Sequence, residues 1–271
     1  MEQPYLHNDH GFWTFVQPAI TEKIFDVYYR AADIAGTDPK NAEMLYKAII
    51  EGCGNGHLDA IIQLGALFFE TERHIEGNAM MHKAHQVAQQ SIPKEFKPGK
   101  HKIEWGFMAN RPLLRAFHAG GLEYMKEEQY RKALEVFLFL LKVNPNDNQG
   151  VRMLLPECYL YLEEYEEVLA LGKKFKDDWS ADIAFGRVLA LYKLNRHDEA
   201  KEQFIKAKTD HPNVAAELQK SRHTFPDAQE DYPSFGGGVI IGGRQEAYYY
   251  WERHKDFWDK DKELKKFIKA L

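Results

Sequence analysis

The sequence predicts an all-α protein, a right-handed superhelical solenoid of antiparallel helix hairpins closed by a C-terminal capping helix. Three observations predict it. A pattern of large and small residues between Leu114 and Asp147 returns further along the chain. Within each copy the apolar residues recur at three- and four-residue spacing, the period of a helix buried on one face. The chain of 271 residues is 44% hydrophobic and 28% charged, enough apolar matter for a core without any low-complexity tract.

The best copy places Phe117, Gly120, Gly121, Tyr124, Ala133, Phe137, Leu140 and Pro145 at relative positions 4, 7, 8, 11, 20, 24, 27 and 32. Positions 4, 8 and 11 share one helix face, and 20, 24 and 27 share one face of the next helix. Small residues at 8 and 20 let the two helices approach. Pro145 stops the second helix. A second copy lies 67 residues on, with Ala184, Leu191, Ala200, Phe204, Ala207 and Pro212 in register. This pattern resembles the tetratricopeptide repeat, except for Gly120, which stands where leucine is usual.

The remaining elements follow in chain order. Residues 1–17 form an N-terminal arm. Thr21 starts a helix with Ile24, Val27, Tyr28 and Ala31 on one face, and Ala42, Tyr46 and Ile49 belong to its partner. Ile61, Leu64, Gly65 and Phe68 carry the first-helix signature again, with Gly77, Met81 and Ala84 in the second helix. A degraded copy fills about Asn148–Asp178. Helical repeats thus span 18–218, interrupted at 89–109 by an irregular insert whose Phe96, Trp105 and Phe107 should pack over a hairpin seam, with Asn110 capping the next helix. Residues 219–271 hold a glycine-rich loop, Gly236–Gly243, and a helix over Arg244–Lys260 striped by Ala247, Tyr250, Trp251, His254, Phe257 and Trp258. Leu264, Phe267, Ile268 and Leu271 make a last amphipathic segment.

Trp105-Gly106, Asn110 to Ala116 and Asn144 to Arg152 look like a family of bacterial tetratricopeptide-like proteins. The ending, Val239 to Ala247 with Tyr250 and Trp258, is similar to the C-terminal part of the suppression-of-tumorigenicity-seven family. The resemblance covers about 100–258. It implies a helical-repeat fold and a binding scaffold, and it transfers no catalytic residue.

Candidate chemistry is sparse. His7, Asp9 and His10, and separately His74, His82 and His85, lack the third or fourth spaced ligand that a metal site needs. The glycine run lacks the phosphate-loop spacing ending in Lys-Ser/Thr. There is no Gly-x-Ser-x-Gly, and the paired glutamates at 163–164 and 166–167 read as a solvated helix end. No enzyme, no metal and no cofactor is expected. Two cysteines, Cys53 and Cys158, are too few for a disulfide framework, and the longest apolar run, Val136–Leu141, is six residues against the roughly 20 that span a bilayer. With no secretory signal at the start, these signs favour the cytoplasm. The net charge of −5 argues against a nucleic-acid coat.

Repeats of this kind expose first-helix positions 2, 5, 9, 12 and 13 on a concave wall. These are Arg115, His118, Leu122, Met125 and Lys126 in one copy and Asp182, Phe185, Leu189, Tyr192 and Lys193 in the other. Arg115, His118, Lys126, Phe185, Tyr192 and Lys193 are therefore the candidate partner contacts. The expected function is a scaffold that binds a peptide or protein segment there. The alternative is a sensor of a small molecule or anion, built from the glycine loop and the aromatic tail. The tail itself reads either as a cap on the last hairpin or as a binding element.

Overall fold

The computed structural model describes residues 2–226 and 240–271. It is predominantly helical, with thirteen α-helices and one two-stranded sheet among those residues. Packing divides the chain into two compact units, Met1–Arg152 and Met153–Leu271.

The first unit begins with a β-hairpin, β1 (Tyr5–Asp9) and β2 (Phe12–Val16), which the arm expected at 1–17 did not anticipate. Its strands pair antiparallel from Tyr5↔Val16 to Asp9↔Phe12. His10 (φ 49) and Gly11 (φ 95) form the two-residue turn, whose backbone needs positive φ at both positions. One face of the hairpin is buried through Leu6, Trp13 and Phe15.

Six helices follow: α1 (Glu22–Ile34), α2 (Pro39–Gly52), α3 (Leu58–Glu70), α4 (His74–Gln90), α5 (Arg111–Lys126) and α6 (Tyr130–Val143). The insert before α5 ties the hairpin down. Trp13 meets Phe96 edge-to-face at 5.1 Å. Asn110, fully buried, accepts from the Phe15 N–H (2.8 Å) and donates to the carbonyls of Trp13 and Glu104 (3.1 Å each). Two expectations change here. The Asn110 side chain clips the hairpin and does not cap α5. Of the three aromatics, Phe96 is buried but Phe107 is exposed; Ile103 takes the buried place, its N–H bonded to the Val143 carbonyl at 2.8 Å.

The second unit holds α7 (Leu155–Tyr161), α8 (Tyr165–Lys174), α9 (Ala181–Lys193), α10 (His197–Asp210), α11 (Pro212–Gln219), α12 (Arg244–Asp259) and α13 (Lys262–Lys269). Four hairpins of the chain, α3–α4, α5–α6, α7–α8 and α9–α10, share one turn. Glu72, Glu128, Glu163 and Asn195, each at repeat position 15, adopt φ near +58 or +59. The N–H after each reaches back to the carbonyl five residues earlier, as Gln129 does to Tyr124 at 2.8 Å and Arg196 to Leu191 at 2.9 Å. This is the Schellman ending, which satisfies the last carbonyls of the first helix and turns the chain into the second. Ala133, Phe137 and Leu140, and Ala200, Phe204 and Ala207, are buried at the expected core positions. Cys53 and Cys158 are buried free thiols.

Candidate peptide-binding wall

In the first unit, α3 and α5 stand side by side and their position-2 residues meet. The Arg115 guanidinium grips Asp59 through two bonds, Nε to Oδ1 at 2.9 Å and Nη2 to Oδ2 at 2.6 Å. At the other end of α5, the Lys126 ammonium lies 4.0 Å from the centre of the Phe69 ring and donates to Glu123 at 3.1 Å. Between these ties, Ile62 and Ala66 of α3 and His118, Leu122 and Met125 of α5 are half-buried, and Lys126 is exposed. Burial lowers the pKa of His118 and keeps the ring neutral, with Asp147 opposing the shift. The face is mixed: three sizeable apolar side chains, one neutral imidazole and a lysine.

In the second unit the same positions of α9 are covered by the chain's own tail. Asp182 accepts from Arg253 of α12 at 2.8 Å. Phe185 is fully buried against Tyr250 (5.7 Å) and Trp258 (6.2 Å). Leu189 is buried too. Tyr192 meets Phe267 of α13 at 5.3 Å, and Lys193 pairs with Asp261 at 2.8 Å. So Phe185, Tyr192 and Lys193, expected on an open wall, instead hold α12 and α13. The physical reason is the apolar stripe of α12: Ala247, Tyr250, His254 and Trp258 are all buried, and the wall is where they are buried.

A small polar cluster lies under α12. His254 is 2% exposed, with its Nδ1 2.8 Å from the Tyr250 carbonyl and its Nε2 3.6 Å from Glu157 and 3.9 Å from Asp182. Burial pushes His254 down to about 4. Burial also pushes Glu157 up to about 7, Arg253 opposing and Asp182 adding to the rise. Among the described residues no group of His, Cys, Asp and Glu could hold a metal ion. His7 and His10 stand exposed on the hairpin, His82 bonds Glu127 at 2.8 Å, and His85 is buried. Gly236–Val239 lie outside the described residues. Beyond them Gly242 sits at the start of α12, its carbonyl accepting from Asn213 at 2.7 Å. Among the described residues no helix is long and apolar enough to cross a membrane.

What the repeats and their walls define is a tetratricopeptide-like helical-repeat protein. The chain belongs to the family described as "Transcriptional repressor TCF25", whose profile matches residues 56–270. Its fold is similar to that of the apo form of RapI, with a TM-score of 0.53 and 12% identity over 92% of this chain and 96% of that one. It is also similar to YrrB, described as a TPR protein with an unusual peptide-binding site, with a TM-score of 0.50 and 17% identity over 70% of this chain and 89% of that one. No curated protein sequence matches the chain. None of these matches indicates a catalytic family.

Proposed function

We propose that this protein is a non-enzymatic interaction scaffold that binds a peptide or protein segment along the α3–α5 wall. The observation that carries the reading is the character of that face. Two ion-pair or cation–π ties hold the helices in place. Between them Ile62, Leu122 and Met125 offer apolar surface directly beside the polar groups of His118 and Lys126. The corresponding face of α9 is already engaged by α12 and α13, so the wall of the first unit is the better surface for a partner. The fold it shares with YrrB, a TPR protein with an unusual peptide-binding site, is compatible with this use.

The family description speaks of transcriptional repression. We read the partner as protein and not nucleic acid, because the net charge of −5 supplies no basic field for a phosphate backbone. A cytoplasmic location and the likeness of the tail to the suppression-of-tumorigenicity-seven family belong to the same reading. The test is a pull-down from native lysate with mass spectrometry, wild type against a Leu122→Glu/Lys126→Glu variant whose helicity is checked by circular dichroism. The expected result is a discrete set of proteins kept by wild type and lost by the variant. Identical sets from both would remove the wall from consideration.

A further inference from the structure

The side of α9 facing away from α12 carries a different surface. Arg187 and Leu191 stand two residues on from Phe185 and Leu189, about 200° round the helix. With Leu169 and Lys173 of α8 and a row of α10 side chains they line a cleft of about 390 Å³. Arg187 is half-buried there, and its Nε is inaccessible and makes no hydrogen bond. The backbone has been cleared for it: a Cβ on Gly172 would stand 2.3 Å from the Arg187 Cδ. Burial lowers the pKa of this guanidinium, and no carboxylate among the described residues comes within ion-pair distance to relieve it. A half-buried cation with no counter-charge is costly, and an anion entering the cleft would relieve that cost.

The neighbours share its sign. Lys173 and Lys206 line the same cleft and make no ion pair among the described residues. Arg196 also lines it, but Glu199 neutralises it through two bonds of 2.7 and 2.6 Å. That leaves Arg187, Lys173 and Lys206 against one carboxylate, Glu202, in a chain whose overall charge is negative. Leu169 and Leu191 give the cleft an apolar side.

Repeat geometry alone does not produce this charge. The equivalent cleft of the first unit, about 420 Å³ between α4, α5 and α6, is lined mainly by Phe117, Tyr124, Val136 and Phe139, with one charge of each sign, Lys132 and Glu135. Its position 7 is Gly120, and His85 of α4 fills the space: a Cβ there would lie 2.5 Å from the His85 Cβ. Burial holds His85 at about 4, a neutral ring. One repeat places a neutral histidine among aromatic rings, with balanced charges at the rim, where the other places an unpaired arginine and an excess of lysine.

We propose that the cleft between α8, α9 and α10 binds the carboxylate side chain of an acidic peptide segment. The Arg187 guanidinium holds the carboxylate, Lys173 and Lys206 supply field at the rim, and Leu169 and Leu191 cover the aliphatic stem. A peptide acid fits better than a free phosphate, because phosphate has no apolar part to set against the two leucines. This surface lies on the second-helix side and is independent of the α3–α5 wall.

The test uses the full chain and a fluorescein-labelled hexaglutamate peptide, read by fluorescence anisotropy. Saturable binding that weakens with ionic strength is expected. Arg187→Gln should reduce affinity about tenfold or more, as loss of one partner of a desolvated charge pair does. Lys126→Gln, on α5, should leave it unchanged even if it abolishes binding at the wall. Should Arg187→Gln melt early, the exposed pair Lys173→Gln/Lys206→Gln carries the test, with an expected loss of roughly threefold or more. No saturable binding, full binding by both sets of variants, or displacement by inorganic phosphate as effectively as by unlabelled peptide would each overturn the assignment.

Discussion

Glu157 sits in an environment far from its solution chemistry, and the consequence falls in an accessible pH range. Its carboxyl, pushed up to about 7 from 4.5, holds a proton in the native state that the unfolded chain has already released. Between about 4.5 and 7 the native state therefore binds more protons, and this group's contribution to stability falls as pH rises through that window. His254, pushed down to about 4 from 6.5, does the reverse: the unfolded chain takes the proton first, so stability rises with pH between about 4 and 6.5. The two slopes oppose each other in the wild type, and removing one exposes the other. Glu157→Gln should melt like wild type at pH 4 and gain on the order of 1–3 kcal/mol by pH 8, seen as a widening difference in Tm. A difference that does not change with pH would mean that Glu157 titrates in the native state as it does in the unfolded chain. Asn110 supports a second prediction at this scale. Its side chain makes three hydrogen bonds across 95 to 97 residues of chain to the hairpin and six residues back to Glu104. Asn110→Ala leaves the Phe15 N–H and the Trp13 carbonyl without that partner and should cost roughly 1–3 kcal/mol. Hydrogen exchange should rise first in β1 and β2. A hairpin as protected as in wild type would place its anchor elsewhere, for instance at the Leu6 N–H bond to the Ser91 carbonyl.

Among the elements, the hairpin turn is the most repetitive and the least optimised. Glutamate occupies the left-handed position at 72, 128 and 163, and only the fourth copy uses asparagine, at 195. A side chain with a Cβ costs about 1–2 kcal/mol there, which glycine avoids at some cost in chain entropy. Glu128→Gly should raise stability by up to about 1 kcal/mol, while the same change at Glu135, exposed in the middle of α6, should lower it by about 0.5–1 kcal/mol. Opposite signs in denaturant midpoints are the expected outcome; a loss at both positions would contradict the turn geometry. The apolar and small positions of these hairpins were legible in the sequence because packing fixes them: Ala133, Phe137, Ala200 and Phe204 all lie in the core. Position 15 was not legible, because a turn that bonds through its backbone accepts glutamate in three copies, and glutamate is not a residue type that signals a turn. The β-hairpin escaped for a related reason. Its alternation of Trp13 and Phe15 is short, and its turn depends on His10 taking a positive φ that sequence alone does not demand.

Over the whole molecule, the α9 face expected on an open wall is covered by the chain's own tail, and its occupancy was not legible in the sequence. Spacing put Asp182, Phe185, Leu189, Tyr192 and Lys193 on one face of α9 and Ala247, Tyr250, Trp251, His254, Phe257 and Trp258 on one stripe of α12; of that stripe Ala247, Tyr250, His254 and Trp258 are buried and Trp251 and Phe257 half-buried. What periodicity cannot say is that two such faces, some 65 residues apart in sequence, bury each other. The aromatic tail thus completes the second unit from within, and its energetic weight is concentrated. Trp258 is fully buried against Phe185, whereas Trp251 is half-buried and stacks on His223 at 3.8 Å. Trp258→Ala should therefore cost roughly 3–5 kcal/mol and Trp251→Ala distinctly less, although both lie on the stripe. Removing 240–271 should uncover Phe185, Leu189 and Tyr192 together, an apolar surface that favours association. The truncated chain should melt well below the full-length protein and elute as larger species in light-scattering chromatography. A synthetic peptide of residues 240–271, added in trans, should bind it and restore the monomer, since the contacts at Asp182, Phe185 and Lys193 need no covalent link. A truncated chain that stays monomeric with an unchanged Tm would mean that α12 and α13 leave α9 readily. The α9 wall would then be open to a partner, and the α3–α5 wall would lose its claim to be the preferred surface.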